Sequence, residues 1–313
     1  MKKFLLSILF LFFTVGAFTN PTPYFVERNH EFTPSLQEYY SRILDAYNDK
    51  KWDELLYYSE IVSKNYSQNK IVSESLFYLG VASFYHKNYV KANHILSDYL
   101  QKQLTPKFFE QAINYKFMIA EEFSNNTRKH MFNSRFLPRW VSAKEDAKNL
   151  YDEVISSLPH HPLAAKSYFS KGKILLAEKE YTDSIEVFRS LIRRFPKNEL
   201  AIDSYLEIGK CYLSQISPKQ QNIDIIDLAK LNIEQLKKSF PQANDKLKQA
   251  EQMLFKMNDV YATSLFNIGA FYERTKKDYA AKVYFAKILK SYPNTKVAKK
   301  AHEKLSKINR KKT

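Results

Sequence analysis

The hydrophobic positions near the carboxyl end of the chain recur at the spacing of two amphipathic α-helices. Each helix has an apolar residue at every third or fourth position, which puts these residues on one face. They are Leu265, Ile268 and Tyr272 in the first helix and Ala281, Phe285 and Ile288 in the second. The spacing predicts helices over about 262–275 and 278–291, and Pro293 ends the second because the residue before a proline disfavours helix. A hairpin of about 34 residues buries its apolar face only against neighbours of the same kind.

Four glycines indicate that this hairpin is repeated along the chain. Gly80, Gly172, Gly209 and Gly269 stand inside helical patterns, where glycine costs roughly 1 kcal/mol relative to alanine. Matching residues follow three of them at twelve and sixteen positions, namely Ala92 and Leu96, Ser184 and Phe188, and Ala281 and Phe285. After Gly209 the matching residues, Ala229 and Ile233, come eight positions later, which indicates an insertion within residues 215–224. We expect each glycine to let the two helices of its hairpin approach closely.

The repeated hairpins resemble tetratricopeptide repeats and predict an all-α fold. We expect one right-handed solenoid of about six hairpins, followed by a capping helix over 296–310, because no linker divides them. The predicted hairpins span residues 35–66, 73–106, 108–159, 165–198, 201–241 and 262–295. The third one contains a basic and aromatic insertion at 124–140. The whole of 35–313 is therefore predicted to form one repeat domain.

The amino terminus has the layout of a secretory signal peptide. Lys2 and Lys3 precede an apolar run, and small residues around Ala17 provide a cleavage site, so residues 1–17 are predicted to be removed. An uncleaved membrane anchor is the alternative. An extended, proline-containing leader is expected over residues 18–34. The apolar run is shorter than the roughly 20 residues that a spanning helix needs, which favours a cleaved signal. We therefore expect the rest of the chain to be exported and to lie outside the cytoplasm.

Composition and motif spacing argue against an enzyme, a metal site or a bound cofactor. The chain has a net charge of +16, but no nucleic-acid-binding module is recognisable, and anionic lipids or acidic proteins suit an exported protein better. Its single cysteine, Cys211, is predicted to be a small buried side chain. Neither the adjacent His160 and His161 nor the eight-residue spacing of His86 and His94 places two metal ligands on one helical face. Binding is the remaining class of function.

Three sets of residues are predicted to form binding surfaces. The repeat register places an aromatic, peptide-binding groove at Tyr40, Leu44, Tyr47, Phe77, Val81, Phe84 and Tyr85. Glu273 and Arg274, at the end of the first helix of the sixth hairpin, are predicted to bind a protein partner. A membrane-surface contact is predicted for Lys296, Lys299, Lys300, Lys304 and Lys307. For the aromatic residues packing between repeats is the alternative, and for the lysines a solvated cap.

The order of parts resembles the BamD/ComL family of outer-membrane assembly proteins. The resemblance rests on the signal followed by repeats, the insertion in the third repeat, and the closing segment YERTKKDYAAKVYFAKILKSYPNTKVAKKA. It implies a periplasmic scaffold at the inner face of the outer membrane that binds unfolded barrel proteins and the barrel-inserting subunit. The chain departs from the family in lacking a lipid-anchoring cysteine after the signal and in having one hairpin more than the usual five. A periplasmic tetratricopeptide partner of the Tol-Pal system is the alternative.

Overall fold

The computed structural model describes residues 34–66, 70–102, 104–125, 128–129, 141–217 and 223–310. The predicted signal peptide, residues 18–33 of the leader and most of the insertion at 124–140 lie outside these ranges. The helices in the described part are α1 Leu36–Asn48, α2 Trp52–Asn65, α3 Lys70–Tyr85, α4 Tyr89–Gln101, α5 Phe109–Ser124, α6 Lys144–Ser157, α7 Pro162–Ala177, α8 Tyr181–Arg194, α9 Glu199–Gln215, α10 Ile223–Ser239, α11 Asn244–Arg274, α12 Asp278–Ser291 and α13 Ala298–Arg310. Two short strands, β1 Arg128–Lys129 within the insertion and β2 Val141–Ser142 directly after it, pair antiparallel.

Consecutive helices pair into six hairpins that stack on one another, and α13 packs against α12 at the end of the stack. The predicted all-α solenoid with a terminal helix is thereby confirmed. Buried apolar side chains form one large cluster from α1 to α7 and a second from α8 to α13. The core therefore runs along the stack, as expected for hairpins that bury their faces against neighbours. None of the described helices has a stretch long and apolar enough to cross a membrane.

Local sequence explains where several helices begin. Ser35 caps α1, since its hydroxyl accepts a hydrogen bond from the Glu38 amide at 3.3 Å while the Glu38 carboxylate accepts one from the Ser35 amide. Asn198 caps α9 in a similar way by accepting from the Leu200 amide at 2.9 Å. Such caps satisfy amide groups that have no partner inside the helix.

The turns inside four of the hairpins share one backbone conformation. Lys50, Lys87, Lys179 and Lys276 all have a positive φ, between 57° and 66°, and each stands two positions before the second helix of its hairpin. The next amide in each turn donates to a carbonyl of the first helix, for example Glu180 to Leu175 at 2.9 Å. This left-handed cap closes a helix and is usually taken by glycine. Each of these turns thus carries a lysine where glycine would be less strained.

Three of the glycines lie where the two helices of a hairpin approach most closely. A Cβ atom at Gly80 would lie 2.7 Å from Leu96, one at Gly172 would lie 2.7 Å from Phe188, and one at Gly269 would lie 2.7 Å from Phe285. These partners stand sixteen positions after each glycine, as predicted. Ala92, Ser184 and Ala281, twelve positions after the glycines, are all fully buried. The repeat register read from the sequence therefore describes real packing.

The fourth glycine was assigned the wrong neighbour. A Cβ atom at Gly209 would lie 3.2 Å from the sulfur of Met253 in α11, whereas the prediction placed Ile233 of α10 there. The reason is the length of α11, which has 31 residues, so that its amino-terminal half packs beside α9. Helix α10 is instead tied to α9 elsewhere, for example by the Asn232 amide donating to the Tyr205 carbonyl at 2.9 Å.

Candidate binding surfaces

Aromatic side chains from the first helices of three successive hairpins lie side by side. Helix α3 packs against both α1 and α5, which brings residues of the three helices onto one face of the stack. We call the partly exposed residues of this face the aromatic surface. It consists of Tyr40, Leu44, Tyr47, Tyr85, Phe108 and Tyr115. Partly exposed tyrosines offer both an apolar ring and a polar hydroxyl to a partner.

A buried layer supports the aromatic surface from below. The ring of Phe77 stacks on Phe108 with centroids 4.6 Å apart, and the ring of Tyr78 lies 5.2 Å from Tyr47. Phe77, Val81 and Phe84 were predicted to line the groove, but their exposed fractions are 1%, 0% and 8%. That part of the prediction is corrected, because these side chains fill the space between neighbouring helices. Of the four groove residues predicted on α3, Tyr85 is the exposed one.

The hydroxyl groups of one tyrosine from each helix converge. Burial, followed by the nearby hydroxyls of Tyr85 and Tyr47, raises the pKa of Tyr115. Tyr85 is also stacked on Trp52 of α2, with centroids 3.7 Å apart and planes within 6° of parallel. These contacts hold the rings of the aromatic surface in fixed positions, which lowers the entropy lost when a ligand binds.

A buried carboxylate lies at one end of the aromatic surface. Glu74 is 4% exposed, accepts a hydrogen bond from the Tyr40 hydroxyl, and forms an ion pair with the Lys107 ammonium at 3.0 Å. Burial, followed by the hydrogen bond to Glu74, raises the pKa of Tyr40, and burial with the Glu74 charge raises the pKa of Tyr78 to about 12. These phenols are therefore neutral at physiological pH.

The ammonium that pairs with Glu74 is within reach of solvent. The Lys107 side chain is 55% exposed, and its ammonium lies 4.9 Å from the centre of the Phe108 ring. A buried carboxylate next to aromatic rings is a favourable place for a cation, which gains both charge pairing and contact with the ring face.

The sequence did not predict all the residues of this face. Tyr78, Phe108, Tyr115, Glu74 and Lys107 were missed. Tyr115 lies on α5, the first helix of the third hairpin, for which no groove residue was predicted. Glu74 and Lys107 are 33 positions apart, and their pairing depends on how two hairpins stack.

Two residues that were predicted to serve different partners are bound to each other. The Lys304 ammonium of α13 lies 2.7 Å from the Glu273 carboxylate of α11. This ion pair holds α13 against α11 and engages both charges, so the partner contact predicted for Glu273 and the membrane contact predicted for Lys304 are corrected. Arg274 is exposed, as are the other lysines predicted to contact a membrane, Lys296, Lys299, Lys300 and Lys307. The Lys296 amide donates to the Asp259 carboxylate at 2.8 Å.

Metal-ligating side chains and the single thiol are the chemical groups to consider in the described ranges. No group of three or more histidine, cysteine or acidic side chains in the described ranges is arranged to hold a metal ion. Cys211 is buried and its sulfur lies 3.4 Å from the Ser184 hydroxyl. Burial raises the pKa of the Cys211 thiol, so this sulfur is a poor nucleophile.

Comparison with known families agrees with the repeat register. A sequence model described as a tetratricopeptide repeat matches residues 165–198 and 263–295, which are the predicted fourth and sixth hairpins. These two segments are tetratricopeptide repeats. In the structure they correspond to α7 with α8 and to the end of α11 with α12. A comparison with curated proteins gives no match.

Solved structures with a similar arrangement of helices share little sequence with this chain. The C-terminal part of a tetratricopeptide repeat protein from Cytophaga hutchinsonii is 16% identical, covers 85% of this chain and 87% of its own, and has a TM-score of 0.43. A tetratricopeptide repeat protein from Parabacteroides merdae is 12% identical, with coverages of 87% and 98% and a TM-score of 0.42. MamA from Desulfovibrio magneticus is 13% identical, with coverages of 74% and 98% and a TM-score of 0.39.

Proposed function

We propose that this protein is a non-catalytic scaffold that binds an extended peptide segment on the aromatic surface. The observation that carries the proposal is the row of partly exposed tyrosines from α1, α3 and α5, held over a buried aromatic layer. Apolar patches that remain exposed on a soluble domain mark interaction sites. An extended peptide presents alternate side chains to such a surface.

The chemistry of the surface defines the class of peptide. Aromatic side chains of the peptide pack among the rings of Tyr47, Tyr85 and Tyr115, while a basic side chain pairs with Glu74 in place of Lys107. A tyrosine hydroxyl both donates and accepts hydrogen bonds, so these side chains bind the backbone of the bound segment as well as its aromatic groups. The preferred ligand is therefore extended, rich in aromatic residues and basic at one position.

The resemblance to the BamD/ComL family supplies the biological context of this proposal. The protein acts in the periplasm at the inner face of the outer membrane, where it holds unfolded barrel proteins and contacts the barrel-inserting subunit. Strands of barrel proteins alternate apolar with polar residues and carry aromatic residues near both membrane interfaces, which fits the aromatic surface. Arg274 stays the residue proposed for contact with the barrel-inserting subunit.

The proposal is tested by binding of a fluorescent peptide from the C-terminal strand of a barrel protein. We expect Tyr85→Ala and Tyr47→Ala each to weaken binding by about 5- to 30-fold, since aromatic contacts contribute about 1–2 kcal/mol at interfaces. Tyr57→Ala is the matched control, because Tyr57 is 62% exposed on α2 and outside the aromatic surface. Equal affinity of the wild type and both surface variants would show that the peptide does not bind there.

The predicted charge preference has a test of its own. Replacement of the basic residue of the peptide by glutamine is expected to lower its affinity for the wild type and to have no effect on Glu74→Gln. If the peptide substitution weakens binding to the wild type and to Glu74→Gln equally, Glu74 does not bind the basic residue of the peptide.

A further inference from the structure

The positive charge of the chain is concentrated at its carboxyl end. Residues 276–310 contain eleven lysine and arginine residues and two acidic residues, so this segment alone contributes +9 to the net charge of +16. It consists of α12, α13 and the turns before them. A field of one sign on the last two helices favours an anionic partner.

Exposed apolar side chains occupy the same end of the solenoid. Tyr279 at the start of α12 is 79% exposed, Phe271 near the end of α11 is 52% exposed, and Val283 on α12 is 50% exposed. The equivalent aromatic residues of earlier hairpins are covered by the next hairpin, as Trp52 is by Tyr85 and Tyr89 by Phe123. The outer face of a terminal repeat is normally polar. The exposed ring of Tyr279 is therefore unexpected on a terminal face that only contacts water.

The terminal helix brings further cations to these apolar residues. The ion pair between Lys304 and Glu273 places the second half of α13 beside the end of α11. Lys307 and Arg310 follow in the last turns of α13 and are exposed. Two more exposed lysines, Lys276 and Lys277, form the turn between α11 and Tyr279. We call Phe271, Lys276, Lys277, Tyr279, Lys307 and Arg310 the C-terminal tip.

We propose that the C-terminal tip binds the surface of an anionic lipid bilayer. Tyrosine rings are favoured at the level of the lipid headgroups, where the ring is apolar and the hydroxyl stays hydrated. Lysine residues near an anionic leaflet are attracted within a Debye length of about 8 Å at physiological ionic strength. The tip is an edge made of one turn and three helix ends, which a planar surface can contact without a groove.

This proposal moves the membrane contact away from the one predicted from the sequence. Lys299 and Lys300 lie at the beginning of α13 and Lys296 just before it, whereas Lys307, Arg310 and Tyr279 lie at the opposite end of the α12–α13 pair. The tip also lies at the other end of the stack from the aromatic surface on α1, α3 and α5. The chain can therefore hold a peptide and a bilayer at the same time.

The experiment places an environment-sensitive dye at the tip of the full chain. An NBD label is attached to Tyr279→Cys, because the native Cys211 is buried and unreactive. We expect its fluorescence to increase with vesicles that contain about one third phosphatidylserine and to stay unchanged with pure phosphatidylcholine vesicles. The matched control is the same label on Tyr57→Cys, which is also exposed but lies in the first hairpin, at the opposite end of the stack from the tip.

A charge test accompanies the label. The variant Lys276→Gln with Lys277→Gln is expected to bind phosphatidylserine vesicles about 30-fold more weakly, roughly fivefold for each lysine. The control is Lys87→Gln with Lys179→Gln, which removes the same charge, includes the same turn conformation and leaves the tip intact. Circular dichroism checks that both variants are folded. We expect the control to bind within about twofold of the wild type, and about 0.5 M salt to abolish binding.

Three results would overturn the proposal. A signal at Tyr57→Cys without one at Tyr279→Cys assigns membrane contact to the amino terminus. Equal weakening by the two lysine pairs shows that net charge, rather than the tip, controls binding. A label at Tyr279→Cys that responds to polyglutamate and not to vesicles identifies the tip as a docking surface for acidic proteins.

Discussion

Close approach of paired helices makes a sharp prediction about alanine substitutions at two of the repeat glycines. At Gly172 an added Cβ atom would lie 2.7 Å from two ring carbons of Phe188, which is fully buried and has no room to rotate away. At Gly209 the neighbouring atom is the sulfur of Met253, at 3.2 Å, and a thioether side chain adapts by rotation. The same chemical change therefore meets a rigid ring in one hairpin and a flexible side chain in another.

The expected magnitudes follow from two opposing effects. Alanine is favoured over glycine inside a helix by about 1 kcal/mol, which applies at both positions. Overpacking of a dense core costs about 1–3 kcal/mol, which applies at Gly172. We expect Gly172→Ala to lower the free energy of unfolding by up to about 2 kcal/mol. Gly209→Ala is expected to raise it by up to about 1 kcal/mol.

The assay is urea denaturation followed by circular dichroism, with hydrogen exchange of α7 and α8 peptides to locate the effect. Equal m values are required for the comparison, because repeat proteins do not always unfold in one step. In a Phe188→Ala background, Gly172→Ala is expected to become stabilising, since the ring that it strikes is gone. Equal stabilisation by Gly172→Ala and Gly209→Ala in the wild-type background would refute the close approach of α7 and α8.

Three further predictions concern single side chains. Lys179→Gly is expected to stabilise the protein by about 0.5–1 kcal/mol in thermal unfolding, because φ is 66° at this position. The control Lys173→Gly, inside α7, is expected to destabilise the protein by roughly 1 kcal/mol. Destabilisation by both variants would contradict the strain assigned to the turn. Cys211 is expected to react with a thiol reagent at pH 8 only in urea, because burial raises its pKa and blocks access; rapid labelling of the native protein would show an exposed thiol. Glu153→Gln is expected to lower the midpoint of urea denaturation, because it removes the negative charge 2.7 Å from the ammonium of Lys116, whose side chain is 2% exposed. An unchanged midpoint would show that the hydrogen bond from Lys116 to Ser97 is enough to stabilise the buried ammonium.

Hairpin packing was largely determined by the sequence. The glycines at 80, 172 and 269 and the bulky residues sixteen positions later are local features, since they lie within one hairpin and meet when its two helices fold back. The fixed spacing of sixteen positions between a glycine and a bulky residue is enough to predict that the two helices meet at these residues. The fifth hairpin did not follow this rule because its glycine faces Met253 of the next hairpin, 44 positions away.

The binding surfaces depended on the tertiary structure. The helical period of α3 could not show that Phe77 and Val81 are covered by neighbours while Tyr85 is exposed, because the angle at which the hairpins stack decides which residues are buried. In the same way the sequence located a cluster of cations at the carboxyl end, but the pairing of Lys304 with Glu273 showed which end of α13 lies beside the end of α11. Spacing along the chain determines contacts within a hairpin, and stacking between hairpins determines the exposed surface.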